Sequence, residues 1–324
     1  MSALIGQGEG YARLRVAARL RRMHHGLLVT GPAGSGKSTA IDELAAAVLC
    51  ADESDRSADA ACGECPACRA GAAHPDLFRV EIPEDKDEIP VDSVRELRAS
   101  LMRLPVFGRA RVAVLDPADG LNLQGQNALL KTLEEPGRDT FLLLGTRRPE
   151  ALLDTVRSRI AVLRMRTLPE EQVLARLAEL EPEVEPADRR WAAGLAEGCV
   201  GQARAFLGEE IRPLYVALQD FLAGRGGTAI QVARAALLGV SGRIPTLHRA
   251  RQVLWILRTL LRNALWKVLA SADAAPYSAG ASAACTLLET LLDAESDLAQ
   301  RIPPEQVLVH VLLTVDPQDS TAIR

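Results

Sequence analysis

A glycine-rich stretch, GPAGSGKS at residues 31–38, contains the residue types that are needed to hold phosphate groups. Its glycines allow the backbone to curl so that N–H groups point at phosphate oxygens, and the start of a following helix adds positive partial charge. The lysine would contact the outer phosphates and the serine would hold Mg²⁺. The alternative, a glycine-rich turn without a ligand, accounts less well for the apolar run before the stretch and the helical pattern after it. We therefore expect ATP or ADP with Mg²⁺ to bind at Gly31, Gly34, Gly36, Lys37, Ser38 and Thr39.

A group of cysteines forms a second chemical signal, with Cys62, Cys65 and Cys68 in close succession and Cys50 shortly before them. Two-residue gaps let neighbouring thiolates converge on one tetrahedral ion, and four sulfur ligands without redox chemistry favour Zn²⁺. The alternative is a set of free thiols, and His74 is a substitute ligand that four cysteines make unnecessary. A site with four protein ligands has no open position. We therefore expect a structural zinc that ties a loop at residues 50–68 to the sheet domain.

The segment VAVLDPADGLN, residues 112–122, has the pattern of a buried strand that ends in an acidic residue. Such an aspartate, here Asp116, helps to hold Mg²⁺ beside a phosphate loop. ATP-hydrolysing enzymes usually place a glutamate next, but this chain has Pro117, which offers no carboxylate to act on the attacking water. A general base contributes ~10²–10⁴ in rate, so the pattern predicts nucleotide binding with little or no hydrolysis. Asp119 is the nearest other carboxylate, and we expect it to point elsewhere because the strand ends near Asp116.

The phosphate loop, the cysteine group and Asp116 must be held in place by secondary structure, and the sequence has alternating strand and helix patterns. Strand-like apolar runs occur at 26–30, 77–82, 110–116 and 140–146, with helical spacing between them. This alternation predicts a parallel sheet that is covered by helices on both faces. The strand pattern ends near residue 166, and amphipathic helical segments follow. The sequence therefore predicts three domains: a phosphate-loop domain, a small helical domain and a larger helical domain, at residues 1–167, 168–207 and 208–324.

Composition narrows the class of protein. The chain has 324 residues, 48% of them apolar, and a formal net charge of −4. The weak negative charge argues against a large non-specific surface for DNA. No apolar run reaches the ~20 residues that a membrane span needs, and the N-terminal segment lacks the apolar core of a signal peptide. We therefore expect a cytoplasmic protein without a membrane partner.

The phosphate loop, the cysteine group and the run NALLKTLEEP at residues 127–136 together resemble the AAA+ subunits of the bacterial DNA polymerase III clamp loader. The run is the most specific of the three, because it lies directly after the acidic strand and retains Lys131, one of only four lysines. The resemblance is strong to about residue 165, and the rest matches only as a small helical lid and a helical collar. It implies an α/β P-loop (AAA+) domain with a parallel sheet and a zinc-binding insertion. A helical lid and an all-α collar for oligomerisation would follow.

Two further site residues come from the resemblance alone. Thr146, at the end of the strand-like run 140–146, looks like the family's sensor 1 residue. The stretch TVRSRI at 155–160 resembles the family's serine-arginine-cysteine motif, with isoleucine in the cysteine's place. Arg159 is then the arginine finger that reaches the nucleotide of a neighbouring subunit. Without the resemblance, nothing distinguishes Arg159 from the other arginines around it.

The lid segment departs from the family pattern. In GCVGQARAF at 198–206, Gly201 takes the place where motor subunits carry a sensor 2 arginine, and we do not expect Arg204, one turn away, to substitute. Like Pro117 in the place of a glutamate, this departure argues against ATP hydrolysis by the chain. Of the family's two branches, the motor subunit gamma/tau and the delta-prime subunit, length favours delta-prime, since the chain ends soon after one collar domain.

The resemblance implies a role in DNA replication within the DNA polymerase III holoenzyme. The partners would be gamma/tau and delta subunits in a hetero-oligomeric ring, with the sliding clamp and primed DNA contacted through the complex. One alternative is a gamma/tau-type motor, which would show ATP turnover stimulated by DNA and clamp. A zinc-dependent nucleic-acid-binding module is another, and it would show salt-sensitive DNA affinity in the isolated chain.

Overall fold

The computed structural model of the chain describes residues 4–52, 54, 58, 60–83, 86, 88–107, 110–208, 210–240, 242–270, 279–299 and 302–315. The chain forms two compact units, Met1–Arg204 and Ala205–Arg324. The domain boundaries predicted near residues 167 and 208 stay predictions.

The first unit contains a five-stranded parallel sheet in the order β2-β3-β4-β1-β5. The strands are β1 Gly26–Thr30, β2 Leu77–Val80, β3 Arg111–Leu115, β4 Thr140–Thr146 and β5 Ala161–Arg164. The residues of β3 and β4 are all buried, as expected for central strands with helices on both faces. The predicted parallel sheet is therefore confirmed, although β5 was not among the predicted strands.

The helices of this unit follow in chain order. They are α1 Gly8–Arg19, α2 Lys37–Leu49, α3 Pro66–Ala70, α4 Val91–Leu101, α5 Leu123–Glu134, α6 Asp154–Arg157, α7 Glu170–Leu180, α8 Pro186–Leu195 and α9 Val200–Phe206, the last of which reaches into the second unit. Short 3₁₀ helices lie at Gly71–Ala73, Ala118–Gly120 and Pro149–Ala151.

Two apolar cores lie on opposite faces of the sheet. Successive strand residues point to opposite faces, so Leu27 and Val29 enter the core that includes α1 and α2, whereas Leu28 enters the core that includes α4 and α5. The two cores hold the sheet between helical layers. The strand ends, and the loops that follow them, are thereby fixed in place.

The second unit is helical in its described residues, with α10 Ile211–Leu222, α11 Ala229–Leu237, α12 Arg243–Ala270, α13 Ala279–Ala299 and α14 Pro304–Thr314. A capping box starts α11, in which the Thr228 side chain accepts from the Gln231 backbone and the Gln231 side chain accepts from the Thr228 backbone. Helix α12 packs against α13, and α14 packs against α11 and α13. The collar role of these helices stays a prediction. Within the described ranges, no helix is both long enough and apolar enough to cross a bilayer.

Candidate nucleotide site and metal centre

The phosphate loop joins the carboxyl end of β1 to the start of α2. Gly34 and Gly36 have φ angles of 72° and 90°, in the left-handed region that favours glycine. Gly36 is also the N-cap of α2, so the unpaired N–H groups of the first helical turn face the loop. The backbone therefore forms the concave, positively polarised surface that binds phosphate in proteins.

The lysine of the loop is buried and held by backbone carbonyls. Lys37 Nζ donates to the carbonyl oxygens of Gly31 at 2.9 Å and Pro32 at 2.8 Å. Burial and the nearby Arg147 guanidinium lower the pKa of Lys37 below its ordinary value. Because both hydrogen-bond acceptors are neutral, the loop itself supplies no compensating negative charge to this ammonium group.

The serine and the acidic residue predicted to hold Mg²⁺ lie side by side. Ser38 Oγ, in the first turn of α2, donates to Asp116 Oδ2 at 2.6 Å, just after β3. Oxygen atoms of this type are the ligands that Mg²⁺ prefers. Two residues far apart in sequence thus meet at the carboxyl edge of the sheet, next to the phosphate loop.

The residues after β3 form a small polar network that the sequence did not reveal. Thr146 Oγ1 donates to Asp119 Oδ1 at 2.8 Å, and Arg148 lies 3.4 Å from Asp119 Oδ2. The expectation that Asp119 points elsewhere is wrong, because the 3₁₀ helix Ala118–Gly120 turns its side chain back toward the end of β4. Thr146 and Arg148 thus occupy the two carboxylate oxygens of Asp119.

The start of α9 contacts the phosphate loop through backbone atoms. Gly201 N donates to Gly34 O at 2.9 Å, and a Cβ atom on Gly201 would lie 2.8 Å from Gly34 Cα. No arginine side chain fits at position 201 in this arrangement. A cavity of about 380 Å³ opens beside the contact, lined by loop residues together with apolar and basic side chains that include Leu4, Ile5, Val200, Arg176 and Arg204.

Arg159 lies at the amino ends of the parallel strands, whereas the phosphate loop lies at their carboxyl ends. It lies two residues before β5, and its carbonyl is near Gly26 at the start of β1. A five-residue strand is ~15 Å long, so the body of β1 separates Arg159 from the loop of its own chain. Its guanidinium is paired with Glu134 at 2.9 Å and remains 38% exposed on the surface.

The predicted cysteine ligands converge on one point. The Sγ atoms of all four lie within 4.8 Å of one another, with 3.6 Å between Cys50 and Cys62, 3.9 Å between Cys50 and Cys65, and 3.8 Å between Cys62 and Cys68. A tetrahedral ion with ~2.3 Å bonds to sulfur requires S···S separations of ~3.8 Å, so the set fits such an ion. His74 is not a member of the group, and its Nδ1 accepts from the Asp76 amide instead.

Backbone amides prepare these sulfur atoms to carry negative charge. The amides of Cys68 and Ala51 both donate to Cys65 Sγ at 3.4 Å. Burial by itself raises the pKa of the Cys65 thiol, but these hydrogen bonds outweigh it and bring the pKa to about 6. A thiolate is the form that binds a metal, so the local backbone favours the ligand state of this cysteine.

A family model described as "DNA polymerase III, delta subunit" matches residues 6–169, which include the phosphate loop, the cysteine group and Arg159. DNA polymerase III subunit delta' of Pseudomonas aeruginosa is 43% identical over 137 residues, covering 42% of this chain and 41% of that protein. The delta' subunit of Escherichia coli is 34% identical over 170 residues, covering 52% and 50% respectively. The gamma/tau subunit of Mycobacterium tuberculosis is 32% identical over 243 residues, covering 74% and 40%. The chain thus matches between two fifths and half of the length of these relatives.

Proposed function

Because this chain belongs to the DNA polymerase III delta subunit family, we propose that it is a delta-prime-type subunit of a clamp loader that acts in DNA replication. The family match and the two delta' relatives support this role and confirm the resemblance seen in the sequence. The proposed partners are gamma/tau and delta subunits in one cytoplasmic ring, which places a sliding clamp on primed DNA. One structural observation adds support to the family match: the phosphate loop lies at the carboxyl ends of the sheet strands, and Arg159 lies at their amino ends.

The proposal includes nucleotide binding at the phosphate loop. Backbone N–H groups would hold the phosphates, Lys37 would pair with the outer ones, and Ser38 with Asp116 would hold Mg²⁺. Thr39 would add the next backbone N–H of α2, and the cavity beside the loop has room for the rest of ATP or ADP. Thr146 would take the sensor 1 position, where its hydroxyl is now engaged by Asp119.

Zinc is the proposed ion of the cysteine group. Four thiolates at tetrahedral spacing match its preference for sulfur and leave no open position for a substrate. The zinc role is therefore structural. It would link the C-terminal end of α2, next to Cys50, to the segment around α3 that carries the other three cysteines.

In this proposal the chain binds one nucleotide at its own phosphate loop and acts on a second nucleotide, which a neighbouring subunit binds. Pro117, Gly201 and the engaged Asp119 support slow hydrolysis of the chain's own ATP. Arg159 faces outward at the far edge, where it would reach the nucleotide of a neighbouring subunit. A trans arginine contributes a factor of ~10³–10⁵ to the rate of phosphoryl transfer. A subunit that hydrolyses its own ATP slowly would therefore still be required for hydrolysis by its neighbour.

Reconstitution of the complex tests this function. Arg159→Ala protein, assembled with wild-type gamma/tau and delta, should abolish fast hydrolysis at the neighbouring site and so lower the steady-state ATPase of the complex, while leaving the chain's own nucleotide affinity unchanged. Arg157→Ala is the matched control, because that side chain is 44% exposed nearby and, within the described residues, pairs with Asp154 of the same short helix. Equal ATPase rates for Arg159→Ala and wild type, with assembly confirmed, would refute the finger assignment.

A gamma/tau-type motor is the second candidate, favoured by the similarity to gamma/tau over 74% of this chain. It predicts that the purified chain hydrolyses ATP and that DNA with clamp stimulates the rate. The delta-prime proposal predicts at most slow turnover by the purified chain. Steady-state phosphate release by the isolated protein therefore decides between them.

A further inference from the structure

Glu134, the last residue of α5, carries a negative charge at a place where a helix disfavours one. The carboxyl end of a helix has negative partial charge, so a cation is stabilising there and an acidic side chain is not. Glu135, the next residue, adds a second negative charge, and both residues are exposed. Local helix stability therefore does not explain the acidic residue at position 134.

The partner of Glu134 is Arg159, the proposed arginine finger. Glu134 Oε1 lies 2.9 Å from Arg159 Nη2, and this ion pair joins the end of α5 to the turn before β5. Arg157, two residues earlier, pairs with Asp154 of its own short helix instead. The ion pair of Arg159 therefore fixes its side chain to a second element, whereas that of Arg157 stays within one helix.

Two further contacts hold the other terminal nitrogen of the guanidinium. Arg159 Nη1 donates to the carbonyl oxygen of Thr155 at 2.9 Å and to Ser158 Oγ at 3.3 Å. Together with the ion pair to Glu134, these contacts set the direction of the side chain. An arginine has five N–H donors, so three contacts do not use them all. The Arg159 side chain is 38% exposed, and another molecule can reach it.

The carboxylate of Glu134 extends from a backbone that is fixed to the sheet. His25 directly precedes β1, and its Nε2 atom donates to the carbonyl oxygen of Leu133 at 2.9 Å. The Leu133 side chain is buried in the core that includes α4 and α5. Glu134 is therefore held at the amino ends of the strands, where Arg159 also lies.

We propose that Glu134 is a positioning residue for the arginine finger, which it holds in the orientation that the nucleotide of a neighbouring subunit requires. The inference rests on the proposed finger role of Arg159. An arginine side chain has several rotatable bonds, and ordering it costs conformational entropy. Because its contacts order Arg159 before the neighbour's ATP reacts, this cost does not add to the barrier of hydrolysis. Glu134 acts through Arg159 and needs no contact with the nucleotide.

Single-turnover ATP hydrolysis by the reconstituted complex tests the inference, and the fast phase that Arg159→Ala removes reports the neighbouring site. In Glu134→Gln the rate constant of this phase should fall about tenfold, less than the ~10²-fold that a 1 Å misplacement can cost. The ATP concentration that half-saturates the site should stay unchanged. Glu135→Gln is the matched control, because it removes the same charge from the next residue. A general effect of charge on the neighbour's phosphates appears in both variants, but loss of the Arg159 contact appears only in Glu134→Gln.

Thermal unfolding of the free chain separates positioning from a structural role. An exposed ion pair contributes little to stability, so Glu134→Gln and Glu135→Gln should have the same Tm. A slower fast phase in Glu134→Gln together with a much lower Tm would mean that Glu134 supports the fold, and would refute the inference.

The kinetic outcomes also separate this inference from the function on which it rests. If Arg159→Ala leaves hydrolysis unchanged, the finger assignment falls and the role of Glu134 falls with it. If Arg159→Ala removes the fast phase while Glu134→Gln matches Glu135→Gln, the finger stands and the role of Glu134 is refuted. The double variant of Glu134→Gln and Arg159→Ala should hydrolyse ATP no more slowly than Arg159→Ala alone. A further decrease would also refute the inference, because Glu134 would then act by a route other than Arg159.

Discussion

The backbone contact between Gly201 and Gly34 yields a prediction that can be checked without any partner subunit. Replacing Gly201 by alanine places a Cβ atom 2.8 Å from Gly34 Cα and 3.1 Å from Gly34 O. Both neighbours are backbone atoms, so neither can move aside as a flexible side chain would. The loop and the start of α9 must separate for the alanine to fit, and the 2.9 Å hydrogen bond from Gly201 N to Gly34 O is lost.

The size of the effect follows from two terms. Overpacking of a tight contact costs ~1–3 kcal/mol, and a lost hydrogen bond costs ~0.5–1.5 kcal/mol, so Gly201→Ala should lower the free energy of unfolding by about 2–4 kcal/mol. For a unit of ~200 residues, 1 kcal/mol shifts the midpoint of thermal unfolding by ~2–4 °C. The expected decrease in Tm is therefore about 4–16 °C.

Differential scanning calorimetry measures this shift, and Gly194→Ala provides a control of opposite sign. Gly194 is exposed within α8, and the nearest atom to a Cβ there is Glu170 Oε1 at an ordinary 3.7 Å. Alanine in a helix interior is ~0.5–1 kcal/mol more favourable than glycine, so this variant should unfold at a higher temperature. If Gly201→Ala is as stable as wild type while Gly194→Ala behaves as expected, the start of α9 does not rest on the phosphate loop in solution.

The cysteine group, the buried lysine and a buried carboxylate each carry a further prediction. Cys65→Ser should remove zinc and lower stability while Cys199→Ala retains the metal, as elemental analysis under reducing conditions would show. The pKa of Lys37 is lowered, so the folded chain loses that proton before the unfolded chain does. The free energy of unfolding should then rise with pH between this lowered pKa and 10.5 in wild type, and this rise should be missing in Lys37→Met, measured by urea titration. Asp76→Asn replaces one of the two buried oxygens that accept the Val106 and Phe107 amides by an NH₂ donor, which leaves one amide without its acceptor, and should cost ~1–3 kcal/mol by the same titration.

The parts of the fold that could be predicted from the sequence are those where local pattern and tertiary environment agree. Strands β1, β3 and β4 are mostly or entirely buried, so continuous apolar runs identify them without ambiguity. The cysteine group was also predictable, because two-residue gaps leave little freedom for where the sulfur atoms point. In both cases the relevant geometry is set within a few residues.

Strand β5 was not predicted because its evidence is tertiary. Its residues alternate between half-buried and exposed, and it carries an exposed arginine at its end, so it lacks a long apolar run. It is an edge strand, and pairing with β1 supplies most of its stability. The orientation of the Asp119 side chain toward the end of β4 was also not predicted, because a 3₁₀ turn directly after a strand leaves no periodic pattern in the sequence.

The direction of the strands explains how one chain can bind one nucleotide and act on another. The phosphate loop follows the carboxyl end of β1, and after β4 the chain must cross back to the amino ends of the strands to begin β5 as a parallel neighbour of β1. Arg159 lies at the end of that return, where its own loop is out of reach. In one reconstituted complex, Lys37→Ala should therefore abolish nucleotide binding by this chain alone, and Arg159→Ala should change hydrolysis on the neighbour alone. If Arg159→Ala instead altered the chain's own ATP affinity, Arg159 would have to lie near its own loop, and the assignment from sheet polarity would be refuted.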